Sequence, residues 1–127
     1  MNVLPDNILK HMATEDRRQL GKPGRTWDEA ETAREDKLEA ELQKQVANLL
    51  RQRDIWFGRS KMNKRSRYTK GAPDFIFAWR NLPFAFECKV NKREPSTDQI
   101  DCHAHMRRNG WMVFVVRSLT QAQELLV

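Results

Sequence analysis

The chain has 127 residues, 31% of them Asp, Glu, Lys or Arg, and a formal net charge of +6. That length suits one domain with a modest core; no apolar run reaches membrane-spanning length, and the N-terminus has no secretory pattern. Two cysteines, Cys88 and Cys102, make no disulfide framework, so a reducing, cytoplasmic setting is expected, while the positive balance admits an anionic partner without naming it.

Residues 1–36 are polar and weakly patterned. Leu4, Ile8, Leu9 and Met12 outline a short amphipathic turn, and Gly21-Lys-Pro-Gly24 reads as a chain reversal. Thr26-Trp-Asp-Glu29 has the form of a capping box, the side-chain arrangement that satisfies the first amides of a helix. This stretch is read as an N-terminal helical arm, packed on the main domain (37–127) or on a second copy.

From Lys37 to about Arg53, Leu38, Leu42, Val46, Leu49 and Leu50 recur at the spacing of one buried helical face. At about 100° per residue, Glu39 falls inside that apolar arc and Glu41 outside it. A carboxylate on the inner face needs a partner, unless it reaches water at the rim. Glu39 therefore stands out.

Ile55-Trp-Phe57 reads as a short strand. Residues 51–70 hold eight Lys or Arg against the single acid Asp54, which gives the segment +7 and leaves the other 107 residues near −1. Charge runs usually only solvate a surface, but this asymmetry is local. Arg59, Lys61, Lys64, Arg65, Arg67 and Lys70 lead directly into the next motif, as phosphate-backbone capture would require. Tyr68 and Trp56 are candidates to stack on an unpaired base, with core packing the better-founded role for Trp56.

Gly71 to Val90 reads GAPDFIFAWRNLPFAFECKV. Two aromatic-rich segments, 74–79 and 84–90, flank the break at 80–83, which predicts an antiparallel hairpin. Alternation puts Phe84, Phe86, Cys88 and Val90 on a core face and Glu87 and Lys89 on the other. Asp74 begins the first strand, so two acids and a lysine meet at one sheet edge. Close carboxylates repel and are commonly relieved by a divalent cation, and hard oxygen donors suit Mg²⁺ or Mn²⁺. The plainer alternative is a solvated Glu87–Lys89 ion pair.

Lys92 and Arg93 extend the basic surface. Ser96-Thr-Asp-Gln99 forms a second capping box, opening a helix to about Asn109 that Gly110 stops. Trp111 to Val116 reads as a buried strand and Leu119 to Leu126 as a closing helix. Cys102, His103 and His105, with Cys88, have zinc-ligand chemistry, but helical spacing splays them and Cys88 points to the core. His103 and His105 are therefore expected to be exposed. The order predicts an α/β domain with a mixed central sheet flanked by helices.

Gly71-x-Pro73-Asp74, a hairpin, then Glu87-Cys88-Lys89 resembles the signature of the PD-(D/E)XK nucleases. Within them the chain is most similar to the VRR-NUC branch of small phage and bacterial nucleases. That branch adds an acid on a preceding helix, matched by Glu39-x-x-Leu-Gln43, and a Ser-x-x-Gln, matched by Ser96 to Gln99. The likeness covers about residues 37–120. It implies a restriction-endonuclease-like core, α-β-β-β-α-β, and an Mg²⁺- or Mn²⁺-dependent endodeoxyribonuclease. Asp74, Glu87 and the Cys88 backbone carbonyl would be metal ligands, and Glu39 a further one, direct or through water. Lys89 would orient the attacking water, with Gln99 beside it. Holliday-junction resolvases are similar small domains, which implies a homodimer acting on branched DNA in phage replication or recombination. A structure-independent nicking nuclease and a non-catalytic DNA-binding module are the alternatives.

Overall fold

Helix α1 runs from Trp27 to Gln52, starting ahead of the apolar repeat that marks it in the sequence. Its opening residues are good helix formers, and Asp28 and Glu29 sit in the first turn where the helix dipole favours negative charge. The computed structural model describes residues 27–60 and 70–127. Expectations at 1–26, including the Thr26 cap, and at 61–69, including Lys61, Lys64, Arg65, Arg67 and Tyr68, lie outside the described residues. Two compact units are present, Met1–Leu38 and Glu39–Val127. In the first, Arg34 pairs with Glu31 and lies over the Trp27 ring. Leu38 is 51% exposed, so it does not share the covered face that the apolar repeat assigns it, whereas Ala30 before it and Glu39 and Leu42 after it are buried.

The second unit holds β1 (Phe57–Arg59), β2 (Phe75–Trp79), β3 (Leu82–Cys88), α2 (Thr97–Arg108), β4 (Met112–Val116) and α3 (Leu119–Leu125). The strands form one sheet in the order β1-β2-β3-β4. The first two pairings are antiparallel and β3 runs parallel to β4. A parallel pair needs a crossover, and α2 supplies it. This is the mixed α/β arrangement expected from the order of elements.

Boundaries shift most at β1 and in the hairpin, where β3 also ends at Cys88 rather than Val90. The β1 strand begins at Phe57 rather than Ile55, because Asp54 leaves the helix with φ 55 and the chain turns before pairing starts. Trp56 is consequently 79% exposed, not packed in the core as expected. In the hairpin, Arg80 and Asn81 have φ of 52 and 65, the left-handed pair of a two-residue turn whose twist matches that of the strands. Leu82 and Pro83 therefore belong to β3.

One sheet face carries Phe75, Phe77, Phe84, Phe86 and Cys88, packed with Leu42, Val46 and Leu50 of α1 and with Ala122 and Leu126. Phe77 meets Phe86 edge to face at 5.0 Å and stacks on Phe84 at 5.6 Å. Arg53 donates to the Leu126 carbonyl, tying the end of α1 to the C-terminal segment. Glu87 points to the opposite face, where Gln99 and His103 of α2 meet it. Among the described residues no helix is long and apolar enough to cross a membrane.

Candidate active site

The β2–β3 register ends at Phe75 opposite Phe86, while β3 continues beside β4 through Glu87 and Cys88. Asp74 and Glu87 thus stand just past the last β2–β3 pair, where the two middle strands part. The lead-in to Asp74 passes hard against α2. Gly71 has φ 83, and a Cβ there would lie 2.3 Å from the Asp98 carbonyl oxygen, so only glycine fits.

Asp74 is buried, and its Oδ2 accepts a hydrogen bond from the Cys88 backbone N–H at 2.8 Å. Its Oδ1 has no hydrogen-bond partner among the described residues. Burial first, and the Glu87 charge second, push the Asp74 carboxyl up from 3.8 to about 7; the Cys88 N–H opposes them. The same burial and acids push the Cys88 thiol well above its ordinary range, so it is no nucleophile.

Glu87 is fully buried. Its Oε2 accepts from Gln99 Nε2 at 3.1 Å and lies 3.6 Å from Lys89 Nζ. Its Oε1 has no hydrogen-bond partner among the described residues and faces His103 Nε2 at 3.8 Å. Gln99 does two things at once. Its backbone N–H and side-chain Oε1 close the capping box with Ser96, and its Nε2 is left for Glu87. The structural and site roles of Gln99 therefore coexist, because a residue at the third helical position uses one amide atom on the cap and has the other free.

Glu39 is buried and Glu41 exposed. The Oε1 of Glu39 lies 3.5 Å from Arg93, and the Glu39 charge is close enough to help raise Asp74. Arg59 donates to Gln43 Oε1 at 3.3 Å and lies over the Phe75 ring. Of the basic residues expected to meet DNA, Arg59 and Arg93 are thus engaged at the site's edge. Lys92 is exposed, and Lys70 forms a solvated pair with Asp98 at 3.2 Å. A mostly apolar cavity of about 310 Å³ adjoins Pro73, lined also by Ile76, Met106 and Trp111.

His103 corrects the sequence reading: it is 2% exposed rather than a surface residue. The signal was present, since His103 lies four residues after Gln99 and so on the same helical face. Its neighbour His105 is exposed as expected.

The donor set fits a hard cation. Two buried carboxylates each leave one oxygen without a hydrogen-bond partner, and oxygen donors of that kind suit Mg²⁺ or Mn²⁺. Among the described residues no three His, Cys, Asp or Glu side chains gather into a ligand cluster. Among the described residues Asp74 and Glu87 are the candidate side-chain ligands with an open oxygen each, and a small ligand set suits Mg²⁺, which keeps several waters.

A solved structure described as a VRR-NUC domain is similar to this chain, with a TM-score of 0.55 and 27% identical residues, over 68% of this chain and 91% of its own. No family model matches the chain, and no curated protein does. The match bears out both the resemblance carried by the motifs and the restriction-endonuclease-like α/β fold.

Proposed function

We propose that this chain, built on the VRR-NUC fold of the PD-(D/E)XK nucleases, is a metal-dependent DNA endonuclease. One observation carries the reading: Asp74 and Glu87, buried together at the parting of β2 and β3, each keep an oxygen without a hydrogen-bond partner, beside the ammonium of Lys89. Placing two ionised acids there costs stability near neutral pH that a bound cation would recover.

Asp74 and Glu87, with the Cys88 backbone carbonyl, would hold Mg²⁺ or Mn²⁺, and Glu39 would act through a water. When bound, such an ion supplies Lewis-acid activation of a phosphate oxygen and of the attacking water. Lys89 places positive charge where negative charge develops on the phosphoryl group, and Glu87 holds the ammonium there. Gln99 fixes the rotation of Glu87 from the start of α2. Arg59 and Arg93 buttress Gln43 and Glu39, while Lys70, Lys92 and the basic run at Lys61, Lys64, Arg65 and Arg67 supply phosphate contacts.

The substrate we favour is branched DNA, cut by a homodimer with one site for each strand, in phage replication or recombination; the resemblance to junction resolvases supports it. Incubating the protein with a synthetic four-way junction and with supercoiled plasmid, in Mn²⁺ or EDTA, tests this. Mn²⁺-dependent junction cutting is expected. Equal nicking of both DNAs would replace selectivity with general nicking, and binding without cleavage in any metal would reject the enzyme. Light scattering on the same sample reads the dimer.

A further inference from the structure

The imidazole of His103 sits inside the site with nothing yet asked of it. It is 2% exposed, and its Nε2 has no hydrogen-bond partner among the described residues. The atom it faces, Glu87 Oε1, is 3.8 Å away and has none either. Two buried polar atoms that face each other just beyond hydrogen-bond length are costly as they stand and complementary once they close. A side chain kept only for its volume would not need a ring nitrogen at that point.

We infer that His103 is a positioning residue for Glu87, holding Oε1 through its Nε2–H so that the carboxylate presents one fixed oxygen to the cation. The inference rests on the metal-dependent nuclease reading. A carboxylate has about four acceptor sites, two on each oxygen. Gln99 Nε2 and Lys89 Nζ face Oε2. With Gln99 on Oε2 and His103 on Oε1, both oxygens would be held from α2, which would fix the plane of the carboxylate toward a cation. Gln99 and His103 lie one turn apart on α2 and move as one rigid element. His103 acts through Glu87 rather than as a ligand, since an imidazole nitrogen is a softer donor than the oxygens that suit Mg²⁺ or Mn²⁺. Partners that orient a ligand in this way commonly matter about 10–100-fold for metal affinity or activity.

The test compares His103→Gln, whose amide can put a donor near the place of Nε2, with His103→Met, which keeps bulk without a donor. Melting in EDTA, Mn²⁺ affinity by calorimetry, and kcat and KM on DNA are read for both. His103→Met should melt within a few degrees of wild type, bind Mn²⁺ roughly tenfold more weakly and lose kcat by a similar factor at unchanged KM. His103→Gln should stay within about threefold of wild type in both. Equal behaviour of the two variants, both intact or both impaired, overturns the inference. So does a His103→Met chain that fails to fold while His103→Gln folds, since the contact then serves stability alone. If wild type itself neither binds Mn²⁺ nor cuts DNA, the nuclease reading fails instead.

Discussion

Asp74→Asn separates the cost of the site from its use. In the metal-free protein the Asp74 carboxyl is raised from 3.8 to about 7, chiefly by burial and then by Glu87. An acid whose folded-state pKa lies above its unfolded one holds more protons folded than unfolded between those values. Stability therefore falls as pH rises through the window from 3.8 to about 7, and the cost is fully present above it. A rise of that size corresponds to about 4 kcal/mol. Relaxation around a buried charge reduces this to roughly 2–4 kcal/mol. Asparagine cannot ionise, and its Oδ1 can still accept the Cys88 N–H. In EDTA at about pH 8, Asp74→Asn should melt higher than wild type by about 8–15 °C, at roughly 4 °C per kcal/mol. The gap should narrow with acidification and nearly close by about pH 4. Adding Mn²⁺ at the alkaline end should raise the wild type and leave the variant unmoved, and this rise should shrink below about pH 7 as protons compete for Asp74. Thermal melts followed by circular dichroism measure all of this. Parallel melting curves for the two proteins across pH, or a variant less stable than wild type at high pH in EDTA, would refute the reasoning.

Lys89→Met should lower single-turnover cleavage by about 100-fold or more while Mn²⁺ affinity changes less than about threefold, because the ammonium serves the transition state rather than the ion. Gly71→Ala should cost about 2–4 kcal/mol in denaturant unfolding, since φ 83 and a Cβ 2.3 Å from Asp98 O force the first turn of α2 to move. Gln99→Leu and Ser96→Ala should each lose about 1–2 kcal/mol from the shared cap, yet only Gln99→Leu should also slow cleavage, about tenfold, because it alone releases Glu87.

Much of the site was legible because it depends on local rules. A short hairpin and alternation carried one residue past the end of β3 suffice to bring Asp74, Glu87 and Lys89 to one edge, and helical spacing suffices to turn Glu39 inward and Glu41 outward. What was not legible depends on partners. Periodicity identifies a helix face but not how far along it is covered, so Leu38 was placed inside and is exposed. The strand β1 is three residues long and is defined by its pairing with β2 more than by its own pattern, which shifted its start and misplaced Trp56. Net charge marked Arg59 and Arg93 as DNA contacts, but charge alone does not say that Gln43 and Glu39 engage them. The sequence reading tests His103 as a zinc ligand, where its spacing fails, and so expects it at the surface, whereas it is buried. Its step of four from Gln99 is what brings it to Glu87.

The most direct measurement is anomalous X-ray scattering from crystals soaked in Mn²⁺. The account predicts a manganese peak bonded to Asp74 Oδ1 and Glu87 Oε1 at about 2.0–2.3 Å, as hard cations bind oxygen, with Lys89 beside it and no such peak in Asp74→Asn. A saturated crystal with no manganese at these two carboxylates would contradict it.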